Sequence, residues 1–274
     1  MTQTLAEPLF DLTEAINNLI TEDDEPVDNI LSEKQQRLLT ETLYSSWTPS
    51  PEEDNPVAPR SFWASANVGV FFSVHEPPLV PDVFISLDVV PPADMKAKTG
   101  RSYLFWEQGK APEVVVEIVS NKKGGELDHK LREYARRGVY HYVVFDPFQH
   151  LSDEVLRIYE PGLPRRYSLR SDYQLPGVGL SLTLWAGRFE GHEYGGWLRW
   201  RDASGNLLPT PDESKARAVE RANRETERAN RETERANQEA ERANQEAERA
   251  TKAEERAARL AVKLRELGLD PEQL

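Results

Sequence analysis

The sequence contains no cysteine, only two methionines and no long apolar segment. Without cysteine the chain cannot form disulfides, use a thiol nucleophile, or build thiolate zinc sites and iron–sulfur clusters. A bound metal would therefore be held by oxygen or imidazole ligands. No run of about 18 apolar residues occurs, and the N-terminal stretch carries Glu7, Asp11 and Glu14 without a basic segment. We therefore expect no membrane span, no secretory signal and a cytoplasmic location.

The net charge of −13 over 274 residues is concentrated in one part of the chain. Residues 1–58 carry 13 acidic side chains against two basic ones, whereas residues 59–212 carry 19 acids and 18 bases. Residues 213–267 hold 13 acids and 14 bases, and residues 268–274 add two acids. The nearly neutral middle segment permits contact with phosphate, but the chain lacks the basic stripe typical of general nucleic-acid binders.

Composition divides the chain into four regions. Residues 1–58 form an acidic segment with loops rich in Pro, Asp and Glu. Within it, SEKQQRLLTETLYSSW predicts one amphipathic helix packed on a sheet, with Ser32 as its N-cap. Residues 59–212 are expected to form one α/β domain, residues 213–267 a long helix or coiled coil, and residues 268–274 a tail.

Strand patterns dominate the predicted α/β domain. Runs rich in β-branched and aromatic residues predict strands in ANVGVFFSVHE, VFISLDVV, SYLFWE and EVVVEIVS, and later in VLRIYE, RRYSLR, LSLTLWAG and WLRWRD. EVVVEIVS lacks polar alternation, as expected of a strand buried on both faces. GELDHKLREYARRG predicts a helix capped by Gly138, and VYHYVVFD predicts the next strand. Strand, helix and strand in this order predict a βαβ unit with parallel strands.

Two carboxylates occupy positions next to or inside these apolar strands. Asp82 follows Pro81 at the head of one strand, and Glu117 lies in the middle of VVVEIVS. A buried carboxylate needs a partner, because without one its pKa shifts or the fold loses stability. Two interpretations remain open for Glu117: a salt bridge that only stabilises the fold, or a ligand of a hard cation such as Mg²⁺. Lys130, on the following helix, could reach back over the carboxyl end of the strand, where open α/β sheets place their sites.

The segments PDVFISL and EVVVEIVSNKKGGELDHKLREYARRGVYHYVVFDP resemble the bacterial Uma-two family, restriction-endonuclease-like proteins of the PD-(D/E)XK superfamily. The resemblance extends over about residues 33–200 and includes E-x-x-S followed by a helix with K-x-x-x-Y-x-x-x-G-V. It implies an α/β fold with a restriction-endonuclease-like mixed β-sheet core flanked by helices. It also implies a divalent metal, Mg²⁺ or Mn²⁺, held by Asp82, Glu117 and the main-chain carbonyl of Ile118, with DNA as the substrate.

Two positions depart from the pattern of this family. The lysine that the superfamily carries two residues after the acid is replaced by Val119, and Lys130 resembles a lysine relocated to the helix. Family members often have Asp four residues before that lysine, where this chain has Glu126. The resemblance implies that Lys130 orients or activates the attacking water and offsets the charge that builds on the phosphate. Glu33, on the early helix, is a further acidic candidate.

Residues 220–261 consist of seven-residue repeats, ERANRET twice, ERANQEA twice, and then ERATKAE and ERAARLA. Alanine occupies one heptad position in every repeat, and Thr or Ala occupies a second position until Glu254 interrupts the series. This weakly apolar seam is compatible with a solvated single helix or with a close-packed alanine coiled coil. We expect Glu220–Arg224 and Glu227–Arg231 to pair at i,i+4, and we expect a homodimer through the helix.

Two functions remain open at this point. The first is a metal-dependent endonuclease that hydrolyses phosphodiester bonds in DNA, with Asp82, Glu117 and Lys130 at its site. The second is a catalytically inactive nuclease-like domain that acts as a coiled-coil interaction or scaffold protein. The acidic residues 1–58 and the long helix favour the second function, because neither helps the domain to approach phosphate.

Overall fold

The computed structural model describes residues 29–51, 60–162 and 166–266. The chain divides into two compact units, Met1–Asp212 and Glu213–Leu274. The acidic residues up to Asp28 and the predicted tail at residues 268–274 lie outside the described residues.

The described part of the first unit contains three α-helices, eleven strands and one 3₁₀ turn. In chain order these are α1 (Ile30–Ser46), β1 (Phe62–Ala66), β2 (Val70–Phe71), β3 (Val83–Leu87), the 3₁₀ turn (Lys98–Gly100), β4 (Tyr103–Leu104), α2 (Phe105–Gln108), β5 (Val114–Ile118), α3 (His129–Arg137), β6 (His141–Phe145), β7 (Leu156–Pro161), β8 (Tyr167–Leu169), β9 (Gln174–Leu175), β10 (Leu180–Phe189) and β11 (His192–Arg201). A long helix, α4 (Pro211–Glu266), follows.

A six-stranded mixed sheet organises the first unit, with the strand order β1-β3-β5-β6-β7-β8. Only the β5–β6 pair is parallel, and the other four pairs are antiparallel. Since α3 connects β5 to β6, the predicted βαβ unit is confirmed. A three-stranded sheet, β11-β10-β9, and a parallel pair, β2-β4, complete the strands. The predicted α/β architecture, a mixed sheet flanked by helices and followed by a long helix, is confirmed.

The first face of the six-stranded sheet packs against α1. Successive strand residues point to opposite faces, and the even-numbered residues of β5, such as Val116, share one apolar cluster with Leu39 and Leu43 of α1. Leu182 and Trp200 bring the three-stranded sheet into the same cluster. The predicted packing of an amphipathic helix on a sheet is therefore confirmed for α1.

The opposite face of the sheet packs against α3. Val115 and Val119, the odd-numbered neighbours along this chain segment, cluster with Tyr134 of α3 and Tyr142 of β6. The helix ends at Gly138, which adopts the left-handed conformation with φ 81°, as the predicted cap requires. The two faces together bury every residue of β5, so Glu117 enters the interior because its strand is covered on both sides.

Three local expectations were wrong. The N-cap of α1 is Asn29, whose Oδ1 accepts a hydrogen bond from the Ser32 N–H at 2.9 Å, so Ser32 lies inside the helix. SYLFWE is extended only over β4, because the chain turns into the short α2 and ends it at Gly109 with φ 75°. ANVGVFFSVHE contributes only the last residue of β1, Ala66, and the short β2, since Asn67, with φ 53°, ends the extended stretch of β1.

Helix α4 consists of 56 residues, and its heptad alanines are exposed. The predicted pairs Glu220–Arg224 and Glu227–Arg231 are confirmed, and the latter joins Oε2 and Nη2 at 3.5 Å. None of the helices described here combines the length and the apolar character that crossing a bilayer demands.

Candidate active site

The register between β3 and β5 brings Asp82 and Glu117 together. Val83 pairs with Val116, so one further step along this antiparallel register sets Asp82 opposite Glu117. Besides burial, the negative charge of Asp82 raises the pKa of Glu117, as expected of neighbouring carboxylates. The Ile118 N–H also donates a hydrogen bond to Asp82 Oδ2 at 2.6 Å. The three residues that the sequence assigned to one metal site therefore lie side by side.

The main chain of Ile118 presents its oxygen toward the same neighbour. In a strand the N–H and C=O groups of one residue point to the same side. Because the N–H of Ile118 reaches Asp82, its carbonyl also faces the β3 side of β5. The odd-numbered residues point to the other neighbour: the Val119 N–H and the Glu113 carbonyl form hydrogen bonds with β6. Two carboxylates and one main-chain carbonyl thus converge at the carboxyl end of the central strand.

Glu117 is held by two side chains from α3. Its Oε2 accepts a hydrogen bond from Lys130 Nζ at 2.8 Å, and its Oε1 accepts one from the Tyr134 hydroxyl at 2.8 Å. Lys130 and Tyr134 are four residues apart, so they project from the same face of the helix. The predicted return of Lys130 over the strand is therefore present in the structure, and Tyr134 organises the acid through a hydrogen bond.

Burial dominates the electrostatics of Glu117, whose residue is 1% exposed. Desolvation raises the pKa of Glu117 to about 7; the Lys130 ammonium opposes this rise and the negative charge of Asp82 adds to it. Burial, together with the adjacent Glu117, also raises the pKa of the Tyr134 hydroxyl well above its usual range. Tyr134 is therefore a hydrogen-bond donor to Glu117 throughout the neutral pH range.

Lys130 remains charged although it is partly buried. Desolvation lowers the pKa of the Lys130 ammonium, but the charges of Glu117 and, less strongly, Glu126 raise it, and the net direction is upward. Glu126 Oε1 lies 3.6 Å from Lys130 Nζ. Because 28% of the lysine side chain is exposed, an external anion can reach it. The geometry therefore supplies a fixed positive charge beside two acids.

Sequence reasoning missed Gln36 of α1. Its Nε2 donates a hydrogen bond to Asp82 Oδ1 at 2.7 Å, and its Oε1 accepts one from Asn67 Nδ2 at 2.9 Å. Both carboxylate oxygens of Asp82 are therefore oriented, one by α1 and one by Ile118. One feature of the sequence could have indicated this role: Gln36 lies one turn before Leu39 on the apolar face of the helix. A polar side chain at such a position needs a hydrogen-bond partner in the interior.

Glu33, the further acidic candidate, does not reach this site. It pairs with Arg37 on α1, with Oε1 and Nε 2.6 Å apart, and its side chain is 42% exposed. The expectation that it adds an acid to the site was therefore wrong. The reason is its partner, since Arg37 at i+4 holds the Glu33 carboxylate at the exposed surface of α1.

The donor set fits a hard divalent cation. The Lys130 ammonium pairs with Glu117 and Glu126, and Asp82 adds a third carboxylate nearby, so the described site carries an excess of negative charge when its acids are ionised. In the described ranges, no cluster of three or more His, Cys, Asp or Glu side chains could hold a metal ion. A cation here would therefore rely on Asp82, Glu117, the Ile118 carbonyl and water, a mixture that Mg²⁺ accepts.

A comparison with protein-family models matches residues 20–184 to Uma2, described as "putative restriction endonuclease". The match covers 165 of 274 residues and includes Asp82, Glu117 and Lys130, whereas α4 lies outside it. No curated protein matches the chain.

Proposed function

The chain belongs to the Uma2 family, and from this membership we propose that it is a metal-dependent endonuclease that hydrolyses phosphodiester bonds in DNA. Restriction-endonuclease-like families act on DNA and usually use a divalent metal, and the first unit is a nuclease-like domain of this kind. One observation carries the proposal. Asp82, at the head of β3, accepts a hydrogen bond from the Ile118 N–H directly beside Glu117, and the lysine of the following helix is bound to Glu117.

The metal ligands in this proposal are Asp82, Glu117 and the carbonyl of Ile118. Mg²⁺ or Mn²⁺, when bound, would supply a Lewis acid for the phosphate and a water molecule of lowered pKa. Gln36 and the Ile118 N–H fix the two oxygens of Asp82, which limits the rotation of this carboxylate. Tyr134 does the same for Glu117 Oε1. A ligand set that is held in place before binding loses less conformational entropy on binding.

The proposed role of Lys130 is electrostatic. Since the neighbouring acids keep its pKa above the ordinary value, the ammonium cannot serve as a general base at neutral pH. Its side chain is 28% exposed, and its ammonium has three N–H donors with which it can bind a non-bridging phosphate oxygen and the attacking water. It would thereby offset the charge that develops while water attacks phosphorus and one P–O bond breaks.

The loop after β5 supports a phosphate backbone as the substrate. Lys122 and Lys123 are exposed, and the described residues provide no ion-pair partner for either. Residues 120–138 contain six bases and three acids, although the whole chain carries a net charge of −13. The loop begins directly after Ile118 and Val119, so its two lysines can contact phosphates that flank the bound one.

Cleavage of supercoiled plasmid by the purified chain, with Mg²⁺ or Mn²⁺, tests the proposal. Asp82→Asn and Glu117→Gln should each lower the rate about 100-fold or more, because each removes a charge that the transition state requires. Asp128→Asn, which neutralises an exposed acid two residues before Lys130, should cleave at the wild-type rate. Circular dichroism must show that all three variants are folded. Undiminished cleavage by both site variants would contradict the assignment.

We further propose that α4 joins two copies of the chain, and such an assembly would serve the interaction or scaffold function. Its repeated alanines form a continuous exposed stripe over the heptads. Ala236→Glu with Ala243→Glu should convert a sedimenting dimer to a monomer, since both changes fall on the seam. Gln238→Glu with Gln245→Glu adds the same charge away from the seam and should preserve the dimer. A wild-type chain that is monomeric at high concentration would exclude this assembly. If a folded wild-type chain cleaves no DNA, the scaffold becomes the function that the molecule supports.

A further inference from the structure

Lys130 lies between two buried carboxylates, and the proposed cleavage reaction uses only one of them. Its Nζ is 2.8 Å from Glu117 Oε2 and 3.6 Å from Glu126 Oε1. The Glu126 side chain is only 6% exposed, and its Oε2 has no hydrogen-bond partner among the described residues. A buried acceptor without a partner is costly, so its presence beside this lysine calls for a physical reason.

The conformation of Glu126 is fixed from two directions. Its carboxylate lies over Gly124, where an added Cβ would collide with both carboxylate oxygens. Its main-chain carbonyl accepts a hydrogen bond from the Tyr142 hydroxyl at 2.9 Å. Glycine at position 124 therefore leaves the space that the carboxylate fills, and Tyr142 of β6 anchors the backbone behind it. The carboxylate is thus held with its Oε1 near the ammonium and is largely shielded from water.

The two acids around Lys130 face different demands. The two carboxylate oxygens of Glu117 accept hydrogen bonds from Lys130 and Tyr134, and under the proposed function this carboxylate also binds a cation. A cation held by Glu117 would repel the ammonium and weaken its hold on this acid. Within the described part of the chain the Glu126 carboxylate pairs with no other basic side chain, and its Oε2 can accept a hydrogen bond from an ammonium that has three donors.

We propose that Glu126 is a positioning residue for Lys130, which keeps the ammonium at the site when Glu117 is engaged with a cation. This inference rests on the proposed function for its catalytic consequence, but the contact between Glu126 and Lys130 exists without metal or DNA. In this proposal Glu117 binds the cation, and Glu126 binds the ammonium of Lys130. Gly124 contributes by leaving room for the carboxylate.

Nuclear magnetic resonance of lysine ammonium groups tests the contact without metal. The Lys130 resonance, identified by its loss in Lys130→Arg, is slowed in exchange when the ammonium is held by acceptors. We expect it to persist in Glu117→Met, because Glu126 still binds the ammonium, and to be lost in Glu117→Met with Glu126→Met. Loss in Glu117→Met alone, or persistence in the double variant, would overturn the inference. The remaining lysine and amide resonances report whether each variant is folded.

A double-mutant cycle on plasmid cleavage tests the consequence and needs no apolar substitution of Glu117. Glu126→Gln should lower kcat about 10- to 100-fold without a change in KM, which is the usual range for a residue that orients a site group. In a Lys130→Met background the same change should have no further effect, because the group that Glu126 positions is gone. Losses that multiply would show that Glu126 acts independently of Lys130.

Asp128→Asn is the matched control, since Asp128 is an exposed acid on the same segment and pairs with Arg132. It should leave both the resonance and kcat at wild-type values. A wild-type chain that does not cleave DNA would refute the proposed function alone, because the spectra of the Glu117 and Glu126 variants would still decide whether Glu126 holds the lysine.

Discussion

The α/β unit and helix α4 each contain a glutamate followed four residues later by a lysine. Glu126 and Lys130 in the α/β unit approach to 3.6 Å, and Glu248 and Lys252 in α4 approach to 3.7 Å. The side chains of the first pair are 6% and 28% exposed, whereas those of the second are 74% and 77% exposed. Sequence spacing and distance are thus nearly the same, although Glu126 precedes α3 whereas both residues of the second pair lie inside α4, and the exposed fractions differ widely.

Burial, more than sequence spacing, therefore sets how much an ion pair contributes to stability. In α4 each pair is surrounded by water and contributes about 0.2–0.5 kcal/mol to the helix, so any one of the repeated pairs can be lost. In the α/β unit the same arrangement includes Glu117, which has no water to solvate it. Removal of the lysine there leaves buried acids without a counter-charge, and no equivalent pair among the described residues of this unit replaces it, as happens in the repeats of α4.

The largest expected contrast is in stability. Lys130→Met should lower the free energy of unfolding of the α/β unit by about 3 kcal/mol at pH 8, because it leaves two buried carboxylates without a positive partner. Lys252→Met should change the stability of α4 by less than about 0.5 kcal/mol. All six tryptophans lie between residues 47 and 200, so urea titration followed by their fluorescence reports the first unit. Far-UV circular dichroism reports α4. Equal losses in the two variants would break the comparison.

A second contrast concerns exposed charges with and without partners. Lys122→Gln with Lys123→Gln should weaken binding to duplex DNA about tenfold at moderate salt and reduce the slope of log Kd against log salt by about 2. Arg228→Gln with Arg231→Gln removes the same charge from α4, where both arginines already pair with glutamates, and should leave the slope unchanged. Fluorescence anisotropy without divalent metal measures both. A slope that responds to the α4 variant instead would assign DNA contact to the helix.

A third, smaller contrast depends on pH and on one buried histidine. Burial lowers the pKa of His141 below its ordinary value of 6.5, and its Nε2–H donates to the Pro176 carbonyl at 2.9 Å. A depressed pKa in the folded state gives a contribution to stability that is complete above pH 6.5 and is lost as the pH falls below it.

His141→Gln isolates this contribution. The stability of the wild type relative to this variant should therefore decline by about 1 kcal/mol for each pH unit below that value, over the interval where only the unfolded state is protonated. Urea titrations of both proteins between pH 7 and pH 5 give the difference, and His192→Gln, at an exposed position, serves as the control. A difference that is constant with pH would contradict the assigned direction.

The sequence predicted much of the candidate site, because its signals were local. An acid in an apolar strand, a lysine on the next helix and a proline–aspartate pair at a strand head were enough to select Glu117, Lys130 and Asp82. Gln36 and the burial of Glu126 were not predicted. Gln36 binds Asp82, which lies 46 residues further along the chain. Glu126 is buried because its carboxylate lies over Gly124, a contact that no periodic pattern of the sequence indicates.

By itself the sequence determined that β5 is buried, that α3 follows it, and that α4 is a long, evenly charged helix. These properties depend on periodicity, which is read within one segment. Tertiary packing placed Asp82, at the head of β3, beside Glu117, brought Gln36 of α1 onto Asp82, and let Glu126 share Lys130 with Glu117. The physical reason is that a local pattern fixes which face a side chain occupies, whereas the register between distant strands and the exclusion of water are set when those faces pack together.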